Sequence, residues 1–181
     1  MRRMFVEPAM IRAWLLFVPL GLLAAQPAEA GELVGGIYVH DIDSPLTKSG
    51  IESGLDLQLG YRWDRIGRTP LQPYLFGAVN TAGDTHYAAV GLSAKFGDRI
   101  FIRPGVGIAL HSGSSKNFED PTDGEIEFGS RILFEPELGI GVRVGERATL
   151  EGSWVHMSHA QLFGHQNPGI DNVGIRFSWK L

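Results

Sequence analysis

Eight stretches of this 181-residue chain alternate apolar side chains with charged residues or glycine. Beyond the first 30 residues, no apolar run approaches the roughly 20 that a spanning helix needs. A period of two belongs to an extended strand, where residues i and i+2 share a face. The clearest stretch sets Ile51, Leu55, Leu57, Leu59 and Tyr61 against Glu52, Asp56, Gln58, Gly60 and Arg62. Residues 100–111 set Ile100, Ile102, Val106, Ile108 and Leu110 against Arg103, Gly105, Gly107, Ala109 and His111. Residues 128–143 and 172–181 repeat the arrangement, the latter with Val173, Ile175, Phe177, Trp179 and Leu181 on the apolar side. The remaining stretches fall near 33–40, 71–80, 86–96 and 147–158. The 24 glycines and scattered prolines disfavour helices, so the expectation is all-β.

Alternation by itself fits either a soluble sandwich or a membrane barrel. Three features favour the barrel: stretches of about nine to twelve residues suit tilted membrane strands, the chain ends inside its last stretch on aromatic residues, and an export signal precedes it. An open edge in hydrocarbon leaves backbone amides unpaired at several kcal/mol each, so eight strands must close. The expected fold is an eight-stranded antiparallel transmembrane β-barrel. Side chains fill the interior of a barrel that size. Glu52, Asp56, Lys95, Arg103, Arg131, Glu135, Glu137, Glu151 and Arg176 then become an internal ion-pair network without an open pore.

Residues 1–30 read as a secretory signal peptide: Arg2, Arg3 and Arg12 precede the apolar run 13–25, and Ala28-Glu29-Ala30 supplies a small-x-small cleavage site. Residues 31–181 are expected to form one barrel domain. Cleavage removes three basic and two acidic residues, taking the formal charge from −4 to −5, and no basic patch invites nucleic acid. The absence of cysteine from the chain excludes disulfide stapling.

With both termini in the periplasm, the longer connections after odd-numbered strands point outward. His156 and Ser158 are then neighbours on the apolar face of the seventh strand, in register with Leu150 and Trp154, at the extracellular rim. Serine needs an imidazole to activate it, and the imidazole needs a carboxylate to fix its tautomer. Asp171, in phase with Val173 and Ile175 on the next strand, faces the same side. Catalytic groups on the apolar outside of a sheet suit a lipid ester. The plainer reading is that His156 and Ser158 are amphipathic rim residues and that Asp171 caps a loop through an Asx turn. His40, His86, His111 and His165 lack metal-ligand spacing and read as rim or loop residues.

The run 153–160, Ser-Trp-Val-His-Met-Ser-His-Ala, followed by Asn167-Pro168-Gly169 and Asp171, resembles the signature of the outer-membrane lipid A 3-O-deacylases, His-x-Ser-Asn-Ala followed by Asn-Pro-Gly and an acidic residue. Gly129-Ser130-Arg131-Ile132-Leu133-Phe134 is a further similar stretch. The resemblance implies an eight-stranded barrel of the outer membrane and hydrolysis of the 3-hydroxyacyl ester at position 3 of lipid A. It implies His156 as base, Ser158 as nucleophile, Asp171 as acid, and His159 and Asn167 as residues for oxyanion stabilisation or substrate positioning. The implied partners are lipid A or lipopolysaccharide and outer-membrane lipids, without cofactor or metal, and the sequence admits a homodimer. Two departures stand out: His159 replaces the asparagine that helps the family's oxyanion site, and Asp171 is one methylene shorter than the glutamate often found there. Losing an oxyanion donor costs about a hundredfold or more in rate unless another N–H replaces it. A catalytically degenerate interaction barrel, or an acyltransferase on a similar barrel, are the other readings.

Overall fold

The computed structural model describes residues 31–45, 47, 50–116, 124–160, 162 and 168–181. The expected signal peptide and its cleavage site lie outside the described residues. Eight strands run as a meander: β1 (Glu32–Val39), β2 (Leu55–Arg62), β3 (Leu71–Asn80), β4 (Tyr87–Ala94, continued by Phe96–Gly97), β5 (Ile100–His111), β6 (Ile132–Val144), β7 (Ala148–Met157) and β8 (Ile170–Lys180). Every strand pairs antiparallel with its sequence neighbours, and β1 pairs with β8 through partners such as Gly35↔Phe177 and Ile37↔Ile175. That last ladder closes the sheet and removes both edges.

The expected period of two decides what faces where. Leu57 and Leu59 on β2 are 51% and 70% exposed, and Ile100 and Ile140 are 71% and 61% exposed. Between them on the same strands, Asp56, Gln58, Arg62, Arg103 and Glu137 are buried. A continuous apolar exterior around a polar interior is a lipid-facing wall. Trp63, Phe96 and Trp179 gather on it near the end that carries Gly31 and Leu181, as an aromatic girdle does.

The lumen is filled. Arg176 pairs with Glu137 at 2.6 Å, Arg103 with Glu32 at 3.2 Å, Arg62 with Glu32 at 3.4 Å, and both Arg62 and Arg103 lie within 4 Å of Glu151. Tyr74 donates to Glu135. Arg62, Arg103 and Arg176 are almost fully enclosed, so each guanidinium depends on these carboxylates for what water would otherwise supply.

Three local readings shift. Arg131 is exposed beyond the start of β6, where it donates to the carbonyls of Ser112 and Gly113 rather than entering the lumen. Phe128 is not an outward strand residue: it is fully buried and packs on the His111 ring at 4.4 Å. The second strand starts at Leu55 instead of Ile51, because the Asp41 carboxylate accepts from the Ile51 and Glu52 amides and takes them out of the ladder.

One end of the barrel, the turn end, carries Gly31, Leu181 and the connections 63–70, 98–99 and 145–147. The described residues of the connections 40–54, 81–86, 112–131 and 158–169 gather at the other, the loop end.

Candidate active site

β7 carries Leu150, Gly152, Trp154 and His156 on its outer face, and the 3.0 Å approach of His156 Nε2 to Ser158 Oγ follows from continuing that face one step past the strand's last residue. Ser158 stays extended because the β6–β7 ladder persists there: Phe134 N–H donates to Ser158 O at 2.8 Å and Ser158 N–H donates to Phe134 O at 3.1 Å. Two residues on, Ala160 takes a φ of 52°, a left-handed conformation that costs a residue with a Cβ and turns the chain away.

Asp171 is the direct cross-strand partner of His156 in the β7–β8 ladder. His156 Nδ1 lies 2.9 Å from Asp171 Oδ1. A carboxylate only accepts, so Nδ1 carries the hydrogen, and in the neutral ring Nε2 presents its lone pair to the Ser158 hydroxyl. Hydroxyl, imidazole and carboxylate are thus in hydrogen-bonded series on the outer wall.

The carboxylate has three further donors. Trp154 Nε1–H donates to Oδ1 at 2.8 Å. Thr47 Oγ1–H donates to Oδ2 at 2.7 Å, and the Ser44 hydroxyl donates to the same oxygen. Asp171 is fully buried, so these donors replace its hydration. Trp154 also stacks beside the His156 ring at 6.0 Å between centroids. Gly169 is needed at this contact: a Cβ there would lie 2.6 Å from Thr47 Cγ2 and 3.0 Å from His156 Cε1.

His156 is half-buried, and exposed Val173 and Phe134 lie beside it on the wall. His159 is fully enclosed. Asn167 and His165 lie outside the described residues. His86 accepts the Asn80 amide at 3.0 Å and His111 meets the Ser130 carbonyl at 2.6 Å, both away from Ser158. His40 is not a rim residue: it is buried between Glu52 and Asp56 at the loop end of the lumen. Among the described residues no group of three or more histidine or acidic side chains is arranged to hold a metal ion.

The sequence reading missed Ser44, Thr47 and Trp154. Trp154 carried a usable signal, since it shares the outward register of His156. Ser44 and Thr47 carried none, because they lie in a connection without periodicity and meet Asp171 only through the fold.

Closed topology, apolar exterior and ion-paired lumen define an outer-membrane β-barrel. Residues 46–180 match the family model described as lipid A 3-O-deacylase (PagL), and the chain belongs to that family. The structure is similar to the crystal structure of the outer membrane enzyme PagL, with a TM-score of 0.56 at 22% identity over 83% of this chain and 99% of that one. It is also similar to Neisserial surface protein A, with a TM-score of 0.55 at 13% identity over 86% of this chain and 100% of that one. A de novo designed transmembrane β-barrel gives a TM-score of 0.50 at 14% identity over 84% of this chain and 97% of that one. At these identities the structural likenesses are of fold. No curated protein sequence matches the chain.

Proposed function

We propose that this chain is an outer-membrane serine esterase that removes the 3-O-linked hydroxyacyl chain of lipid A. The observation that carries the reading is the series Ser158 Oγ to His156 Nε2 at 3.0 Å and His156 Nδ1 to Asp171 Oδ1 at 2.9 Å, on the apolar outer wall of a barrel of this family. The loop end is read as extracellular, so that the lipid A headgroup stays at the rim while its acyl chains lie along the wall. Residues 1–30 are read as the export signal.

In this mechanism His156 Nε2 takes the Ser158 proton as Oγ attacks the ester carbonyl. Asp171 holds the imidazole in the required tautomer and stabilises the imidazolium. His156 then returns the proton to the departing sugar oxygen at position 3, leaving the hydroxyacyl chain on Ser158. Water, deprotonated by the same imidazole, releases the fatty acid and restores the serine. The tetrahedral oxyanion falls to the His159 ring or to the backbone N–H of His159 or Ala160, since the Ser158 N–H is held by Phe134.

Mass spectrometry of lipid A from outer membranes with and without the protein tests this directly. Loss of one 3-hydroxyacyl mass, abolished by Ser158→Ala, is the expected result. Gain of an acyl chain would make the protein a transferase, and unchanged lipid A would leave an interaction barrel.

A further inference from the structure

In the β1–β2 connection, Asp41, Ile42, Ser44 and Thr47 lie against Asp171 and Asn172 at the start of the neighbouring strand β8. The Thr47 side chain is buried, and its hydroxyl donates to Asp171 Oδ2 at 2.7 Å. Ser44 donates to the same oxygen, and its Oγ accepts the Thr47 amide at 3.2 Å, so the two hydroxyls form one small unit. Two backbone amides hold the connection against β8: Ile42 N–H donates to the Asp171 carbonyl at 2.8 Å, and Asp41 N–H donates to the Asn172 side-chain oxygen at 2.9 Å.

A carboxylate on a short side chain turns freely about its last bond unless both oxygens are held. Here Oδ1 serves His156 and Trp154, while Oδ2 is anchored from a part of the chain more than 120 residues away in sequence. If Oδ2 were released, the carboxylate plane would rotate and the His156 contact at Oδ1 would lengthen or bend. Gly169 keeps the approach open, since a side chain there would displace Thr47 and press on the His156 ring together.

We infer that Thr47, supported by Ser44, is a positioning residue of the esterase site, acting on His156 through Asp171. The inference rests on the proposed hydrolase reading for its kinetic consequence, while the contact can be read without turnover. The first connection is therefore a working part of the site and not a passive loop.

The test compares Thr47→Val, Thr47→Ser and Ser44→Ala with wild type in detergent, on one lipid A preparation. Two readouts are taken: kcat with KM, and the proton NMR resonance of the His156 Nδ1–H in protein with 15N-labelled histidine. Thr47→Val keeps the side-chain shape and removes the donor. It is expected to lower kcat about tenfold with KM steady, the scale of one charge-assisted hydrogen bond. It should also displace the Nδ1–H resonance, and Thr47→Ser should recover most of both effects. Ser44→Ala shifts both readouts in the same direction and serves if Thr47→Val does not refold. An unmoved resonance with unchanged kcat overturns the inference, as does an equal loss in Thr47→Val and Thr47→Ser, which would show that the hydroxyl is not the agent. A displaced resonance in a protein whose wild type hydrolyses no lipid A would keep the contact and remove the hydrolase reading.

Discussion

Two histidines at the loop end meet carboxylates, one on each side of the same barrel wall. His156 faces outward, with Asp171 on Nδ1 and Ser158 on Nε2. His40 faces inward, with Asp56 on Nδ1 at 3.0 Å and Glu52 on Nε2 at 2.9 Å. The clusters stand back to back across β8: Asp171 points out, while its neighbour Asn172 points in and donates to Asp56 at 2.9 Å. Burial alone would push the pKa of His40 down, but hydrogen bonds and charge from Asp56 and Glu52 raise it to about 9. An imidazole donating from both nitrogens is a fixed cation, with no lone pair to accept a proton. Among the described residues His156 has one carboxylate partner, and its second partner is a hydroxyl that can donate to a lone pair on Nε2. In the proposed mechanism, a serine in place of one carboxylate is what separates a base from a structural cation.

The sharpest way to break this comparison is to remove each ring in turn. Under the proposed mechanism His156→Ala is expected to lower lipid A deacylation by about 10⁴-fold or more, as Ser158→Ala should, and the double variant should be no worse because a base and its nucleophile act as a unit. Its stability in a lipid-refolding titration should stay near wild type. His40→Ala should do the reverse, leaving two buried acids without their cation and destabilising the barrel by about 3 to 5 kcal/mol. If both variants lost activity and stability alike, the two clusters would be one system.

The outside–inside contrast extends along the wall. Leu57 is 51% exposed to lipid, whereas Gln58 beside it is buried and accepts from Arg176 Nε at 3.2 Å. Leu57→Arg is therefore expected to cost about 2 to 4 kcal/mol near mid-bilayer. Gln58→Glu, which adds a charge beside a guanidinium, should cost less. Equal tolerance at the two positions in urea titrations of lipid-refolded protein would reverse the faces.

Acidity separates the clusters more gently. His40 has a folded pKa raised above its unfolded value near 6.5, so its contribution to stability is complete below that value and is lost as pH rises through about 9. Burial would raise the Glu52 carboxyl, but hydrogen bonds from His40 and Thr85 hold it below its usual range, so its contribution is lost as pH falls through that lowered value. The melting temperature should therefore fall on both sides of neutrality. The alkaline fall should vanish in His40→Gln, and a wild-type melting temperature that stays flat through pH 9 would sink the assignment of a cationic His40.

How much of this was legible follows the periodicity. A closed barrel needs each strand to choose a face, and that choice is written into residues two apart; it placed Asp56, Arg103 and Glu137 inside and Leu57, Ile100 and Ile140 outside. The same rule set His156, Ser158 and Asp171 on one outer face, and the ladder supplied the cross-strand contact of His156 with Asp171. Where the chain leaves the ladder, the rule has nothing to act on. Phe128 and Arg131 looked like strand residues but precede β6, and His40 looked like a rim residue although one further step of β1's own alternation points it into the lumen. Ser44 and Thr47 are fixed by hydrogen bonds to a residue over 120 positions away, which no local pattern encodes.

The smallest effect is expected at His159, where the chain departs from its family's asparagine. The ring is fully enclosed, so it reaches an oxyanion beside Ser158 Oγ only if the 158–160 turn opens as substrate enters. The Ser158 N–H is already given to the Phe134 carbonyl, so the backbone alternative is the His159 or Ala160 N–H. On that argument His159→Asn, which restores the family's amide, should hold kcat or raise it within about tenfold. His159→Ala should fall less than the hundredfold or so that removing a true oxyanion donor costs. Both variants leave Ser158, His156 and Asp171 in place, so their kcat values on one lipid A preparation report the oxyanion contribution apart from proton transfer. A loss of about a hundredfold in His159→Ala that His159→Asn restores would make the imidazole the donor. It would show that the outer-wall site, unlike the inner cluster, completes itself only when the turn moves.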